Sequence, residues 1–89
     1  MEYIFAFRTT NFAIKSEQLL LAASLDVKAM PLPGRVRAGC GICLRVASEE
    51  VRRAVSVLAE HFPEEIHLFS RVETGGKYKY TAVDDINAV

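Results

Sequence analysis

Neither sign of charge is in excess in this sequence: eleven lysines and arginines face eleven aspartates and glutamates, for a net charge of zero. No global field draws such a chain onto nucleic acid or anionic lipid, so neither is an expected partner. Long hydrophobic runs are missing as well. The longest apolar stretch, Leu19 to Ala23, is far short of the ~20 residues that span a bilayer. Met1-Glu2-Tyr3-Ile4-Phe5 contains no basic region and its apolar run stops at Arg8, which reads against an ordinary signal peptide and predicts a cytoplasmic protein. There is no repeat, no phosphate-binding glycine fingerprint and no G-x-S-x-G elbow. No serine-histidine-carboxylate set is legible, so conventional hydrolysis has no support, and a carrier or binding protein is expected rather than an enzyme.

What is present suits one small folded unit. The 89 residues allow a single domain over 1–89, 51% apolar and 25% charged, which is ordinary for a globular protein. A domain of this size buries roughly 60–65% of its unfolded surface and folds with little stability to spare.

Alternating Tyr3, Phe5 and Phe7 begin a first strand that is apolar on both faces. Thr9 or Thr10 then caps a helix reaching about Ser24, with Phe12, Ala13, Ser16, Leu19, Leu20 and Ala23 on its core stripe. A second set, Ile14, Leu21 and Leu25, points away from that stripe and fits either full packing or a partner subunit. Asp26 to Met30 reads as a short strand, ended by Pro31-Leu32-Pro33-Gly34. A loop of about ten residues follows, long for a hairpin, and long loops often carry function. Gly41 to Val46 is the next strand, with Cys43 and Arg45 on one face.

Ser48 is expected to cap a second helix whose stripe is Val51, Ala54, Val55, Leu58, Ala59 and Phe62, with Glu49 and Arg53 paired on its wet side. Pro63 stops it. Ile66 to Val72 forms a fourth strand with Ile66, Leu68 and Val72 inward, and Thr74-Gly75-Gly76-Lys77 turns the chain into a fifth, Tyr78 to Val83. Asp84 to Val89 shows no pattern. The order β-α-β-β-α-β plus an added C-terminal strand predicts an α+β ferredoxin-like sandwich with both helices on one sheet face. The other face would stay open, with aromatics from strands one, four and five available for a homodimer or another partner.

The concentrated chemistry is Cys40-Gly41-Ile42-Cys43. Gly39 and Gly41 bracket Cys40, which leaves its backbone free and its thiol unshielded, and Arg35, Arg37 and Arg45 are close in sequence. A guanidinium near a thiol favours the nucleophilic thiolate. One reading is a reactive thiol at Cys40 with Cys43 as resolving partner; the other is two small buried hydrophobes at a sheet edge. Metal binding is weakly supported, because one C-x-x-C supplies two ligands and structural zinc takes four. His61 and His67 show no ligand spacing to the cysteines, so no cofactor is expected, although a dimer pooling two C-x-x-C pairs is an alternative. A thioredoxin-like site would need a helix after the motif, and here a strand follows.

In order and spacing, the opening strand, the helix carrying Ala13, Glu17, Leu20 and Leu21, the segment Pro31-Leu32-Pro33-Gly34-Arg35 and the run Cys40-Gly41-Ile42-Cys43-Leu44-Arg45-Val46 resemble the Se/S carrier protein-like family over about Tyr3 to Glu73. The resemblance implies a carrier of sulfur or selenium, held as a persulfide or perselenide on Cys40, with donor and acceptor proteins as partners. It maps the family's cysteine to Cys40, its loop proline to Pro33 and its strand arginine to Arg45. Cys43 departs from the pattern, which usually has a small non-thiol residue there, and would make this member more redox-like. Hairpin and tail, residues 74–89, lie outside the family-like core. A non-catalytic dimeric binding or regulatory module is the competing expectation.

Overall fold

The computed structural model describes residues 1–85, so the end of the patternless tail, 86–89, lies outside the described residues. Among these the chain forms β1 (Glu2–Ala6), α1 (Thr10–Ala22), β2 (Val27–Pro31), β3 (Ile42–Ala47), α2 (Val51–His61), a 3₁₀ turn (Pro63–Glu65), β4 (His67–Thr74) and β5 (Lys77–Ala82). The strands make one antiparallel sheet in the order β2-β3-β1-β4-β5. The architecture is therefore α+β, with the fifth strand added at the edge beside β4.

Register assigns the two faces. Phe5 lies between Leu44 and Leu68, whereas Ile4 lies between Arg45 and Phe69, and Ala6 between Cys43 and His67. Tyr3, Phe5 and Phe7 join the cluster that takes in Ala13 and Leu20 of α1 and Val51, Ala54 and Leu58 of α2. The aromatics of β1 thus fill the space under the helices rather than standing on the opposite face. Their shared parity puts all three on one side, and two helices offer far more apolar surface to bury against than a loop does.

The stripe of α1 is as the periodicity predicts: Ala13, Ser16 and Leu20 are buried, and Phe12, Leu19 and Ala23 pack partly buried against the same cluster. Thr9 caps the helix, its hydroxyl accepting from the Phe12 N–H at 3.3 Å. Of the second apolar set, Leu25 is buried, whereas Ile14 and Leu21 are about half exposed. The C-terminus closes in a Schellman motif: Leu25 N–H donates to Leu20 O and Ser24 N–H to Leu21 O, with Ser24 left-handed at φ 63°. An exposed L-residue is strained there. Ser24→Gly should raise the unfolding free energy by about 0.5–1 kcal/mol in urea titrations; no gain would mean that the turn relaxes around serine.

The second helix begins later than its sequence suggests. Ser48 to Glu50 form a turn, and Glu50 is the N-cap; its carboxylate makes no capping bond to the helix but accepts from the Asp26 N–H at 3.4 Å, and the Ser48 hydroxyl donates to Glu49. Arg53 does not pair with Glu49; it donates to Ala23 O at 2.7 Å, placing a guanidinium at the negative end of α1. Phe62, just beyond α2, meets Phe12 edge-on at 5.3 Å.

The face away from the helices is not left open. The loop from Leu32 to Gly41 folds back across it, and Val36, 5% exposed, packs with Ile4, Ala6 and Cys43. Aromatic cover comes from Phe69 and Tyr80 of β4 and β5, while Tyr78 stays exposed. Val72, expected inward, is exposed: it shares the parity of the buried Leu68 but does not join the cluster under the helices. Gly75 and Gly76, both at positive φ, close the β4–β5 hairpin as the Gly-Gly pair predicts.

Candidate functional site

The returning loop is stitched to the chain that leaves β1. Cys40 N–H donates to Phe7 O at 3.1 Å, and a Cβ on Gly39 would come within 2.3 Å of the Arg8 carbonyl oxygen. Only glycine tolerates that approach. Since α1 begins two residues after Arg8, the Cys40 side chain arrives at the start of that helix. Its sulfur is 3.6 Å from Thr10 Oγ1, where either group can donate, and it accepts from the Ile42 N–H at 3.4 Å. Thr10 is the first residue of α1, where the helix dipole is positive. The thiol is 3% exposed. A sulfur so placed has two groups able to donate a hydrogen bond to it, the Thr10 hydroxyl and the Ile42 N–H.

Cys43 occupies the other side of the sheet, in the cluster of Ile4, Ala6 and Val36. It is fully buried, and its thiol faces Pro31 O at 3.8 Å. Burial raises its pKa from 9.0 to about 11, against the pull of the Arg71 guanidinium and with a smaller upward push from Cys40. At neutral pH it is a thiol. Both cysteines are free. Because the folded thiol holds its proton more tightly than the unfolded one, the stability linked to it is complete below pH 9 and lost as pH rises towards 11. Between pH 8 and 10 the wild type should lose about 1 kcal/mol more unfolding free energy than Cys43→Ala; equal losses would show that the thiol does not titrate this way.

A sequence profile of the family described as Putative Se/S carrier protein-like matches residues 2–69, more than half of the chain. The chain belongs to this family. No curated protein and no solved structure matches it. The match runs from β1 into β4 and takes in both cysteines, and β5 lies beyond it.

In this Se/S carrier protein-like chain the remaining candidate residues divide between the two faces. The Pro33 carbonyl accepts the Val36 N–H at 3.0 Å and so closes a turn that carries Arg35; Arg37 follows it, and both arginines are exposed. Gly41 has open space where a side chain would start. Arg45 projects to the face that holds Cys43 and pairs with Glu2, which also lies 3.6 Å from Arg71. Arg71 stacks over the Tyr78 ring at 3.8 Å, and its buried Nε has no hydrogen-bond partner. The structure thus brings Cys40, Gly39 and Gly41 to the start of α1 and sets Cys43 and Arg45 behind the sheet. Thr10, Glu2 and Arg71 were not singled out as site residues from sequence; Thr10 stood out only as a possible helix cap. Among the described residues no group of three histidines, cysteines or carboxylates is arranged to hold a metal ion, and no helix is long and apolar enough to cross a membrane.

Proposed function

We propose that the protein carries sulfur or selenium as a persulfide or perselenide on Cys40, between a donor and an acceptor protein. The observation that carries the reading is the convergence of the Thr10 hydroxyl and the Ile42 N–H on the Cys40 sulfur at the start of α1. Family membership supports it. As a thiolate, Cys40 attacks the outer sulfur of a donor persulfide. One S–S bond forms at Cys40, the donor's S–S bond breaks, and the donor leaves as a thiolate that takes up the proton Cys40 released. The exchange consumes no oxidant or reductant, and an acceptor thiolate reverses it on the other side. The same attack on a perselenide moves selenium.

The same atoms that hold the sulfur would hold the anion of the loaded form, and its burial protects a sulfane sulfur from stray thiols. Delivery then requires the segment from Leu32 to Gly41 to open. Its fastenings include Leu32 N–H to Gly41 O at 2.9 Å and Cys40 N–H to Phe7 O at 3.1 Å. Local openings of this size are accessible to small domains. Cys40 is the working nucleophile in this reading, and Cys43, held as a thiol in another cluster, serves at most in a rearranged state. The strand order β2-β3-β1-β4, with crossovers that each skip one strand, supports a ferredoxin-like framework for the site.

The test is intact mass after incubation with a cysteine desulfurase and cysteine, before and after reductant. An adduct of one sulfur atom, mapped to Cys40 and removed by reductant, is the expected result. No adduct together with no alkylation of Cys40 in the folded protein would turn the assignment toward a non-catalytic binding module.

A further inference from the structure

Arg71 on β4 is mostly buried, and its hydrogen-bond donors go unanswered. Its side chain is only 12% exposed, yet among the described residues no oxygen lies within hydrogen-bond distance of the guanidinium. Glu2 Oε1 stands at 3.6 Å, and Nη1 donates only to the Met30 sulfur, a weak acceptor, also at 3.6 Å. Nε is buried without a partner. The Tyr78 ring covers one face of the guanidinium at 3.8 Å. That contact offsets charge but takes none of the N–H donors, which lie in the guanidinium plane. Arg8 is the contrast: its side chain is 67% exposed, and both Glu65 carboxylate oxygens accept from it. Buried donors are normally satisfied, so a guanidinium left this way points to a missing acceptor.

Positive charge is in excess around it. Arg45 and Arg71 share the single carboxylate of Glu2. Lys28 on β2 is the register partner of Arg45 and shares the parity of Met30, so both cations stand on the face away from the helices. The Met30 contact shows that the Arg71 guanidinium reaches across that face toward β2. Lys28 is exposed and has no carboxylate partner among the described residues. Glu73, on the same face two residues beyond Arg71, is exposed and pairs with none of the three. Three cations thus meet one engaged carboxylate, in a chain whose net charge is zero. Like charges directly opposite each other across two strands are destabilising, and an anion beside them removes that penalty.

We infer that Arg71, Arg45 and Lys28 bind a small oxyanion with two negative charges, of the phosphate or sulfate type. The charge follows from the balance, since three cations less the Glu2 carboxylate leave two. The ligand class follows from the donors, because the planar fork of a guanidinium matches paired oxygens. Access is beside Glu2, where that carboxylate and Arg45 are both partly exposed. Glu2 competes with the oxyanion for the two arginines. The site lies on the face opposite the Cys40 sulfur, and the inference does not rest on the carrier reading.

The experiment follows the ¹⁵N-labelled protein, reduced and carrying no sulfur, as sodium phosphate is added, with sodium chloride at matched ionic strength as the control. Phosphate should shift the Arg71 Nε–H signal and the amides of Lys28 and Arg45 to saturation, and chloride should not. Lys28→Gln, a change at an exposed side chain, should weaken phosphate binding about threefold. Glu2→Gln should tighten it about threefold, because the competing carboxylate is gone. The opposite signs separate a ligand site from a general loosening of the face, which would move both variants the same way. Ribose 5-phosphate in place of phosphate tells the source. Tighter binding than the free ion assigns the oxyanion to a phosphorylated compound, weaker binding assigns a free ion, and either supports the site. Equal shifts with phosphate and chloride, unchanged affinity in both variants, or a change of the same sign in both would overturn the inference. Shifts centred on Arg35 and Arg37 would place the anion on the loop, which also overturns it.

Discussion

Serine in place of Cys40 should abolish the reductant-labile sulfur adduct, whereas serine in place of Cys43 should leave most of it. The asymmetry follows from where the two sulfurs lie. Cys40 meets the Thr10 hydroxyl and the Ile42 N–H at the positive end of α1, while Cys43 is walled in behind β3 and held as a thiol by burial. A thiol is a far poorer nucleophile than its thiolate, and a pKa near 11 leaves on the order of one molecule in ten thousand ionised at pH 7. The comparison should be made by peptide mapping after equal exposure to donor, with alkylation of each denatured variant as a control for thiol content. Loss of the adduct in both variants would mean that the cysteines act as a pair, which requires β3 to twist out of register. Equal loading of both variants would remove Cys40 from its proposed role.

How much of this was legible depends on the range of the interaction. Periodicity carried α1 and α2, because a stripe such as Ala13, Ser16 and Leu20 is written within one helix and needs no knowledge of what covers it. The Gly75-Gly76 hairpin was equally local, since few other pairs accept two positive φ angles. The parity of Tyr3, Phe5 and Phe7 showed that they share a face but not which face, and the answer lay in helices far along the chain. The loop after Pro31 has no period at all, so its return over Ile4 and Ala6 could not be read. The cysteine motif was visible, but its environment was not: Thr10 reaches Cys40 across 30 residues, and Glu2 reaches Arg45 across 43. Arginines close to Cys40 in sequence therefore suggested a cationic nest, whereas strand alternation carries Arg45 to the opposite face.

Gly39→Ala should be the most damaging single-methyl addition in the loop, and Gly41→Ala close to neutral. The two glycines flank the same cysteine and look equivalent in the sequence. A Cβ at residue 39 would lie 2.3 Å from the Arg8 carbonyl oxygen, a backbone atom that cannot swing aside as a flexible side chain would, whereas at residue 41 it would meet nothing within 4 Å. Relieving the clash means separating the loop from the chain after β1, which breaks the Cys40 N–H to Phe7 O bond and draws the sulfur away from Thr10. Overpacking of this kind costs about 1–3 kcal/mol, a large share of the stability of a small domain. Urea unfolding at neutral pH should therefore show a clearly lowered midpoint for Gly39→Ala and a change within about 0.5 kcal/mol for Gly41→Ala. If Cys40 depends on this close approach for its placement, Gly39→Ala should also alkylate faster at that residue under conditions where it remains folded. Equal stability of the two variants would show that the loop gives way without cost, and the position of the sulfur at the start of α1 would then owe nothing to Gly39.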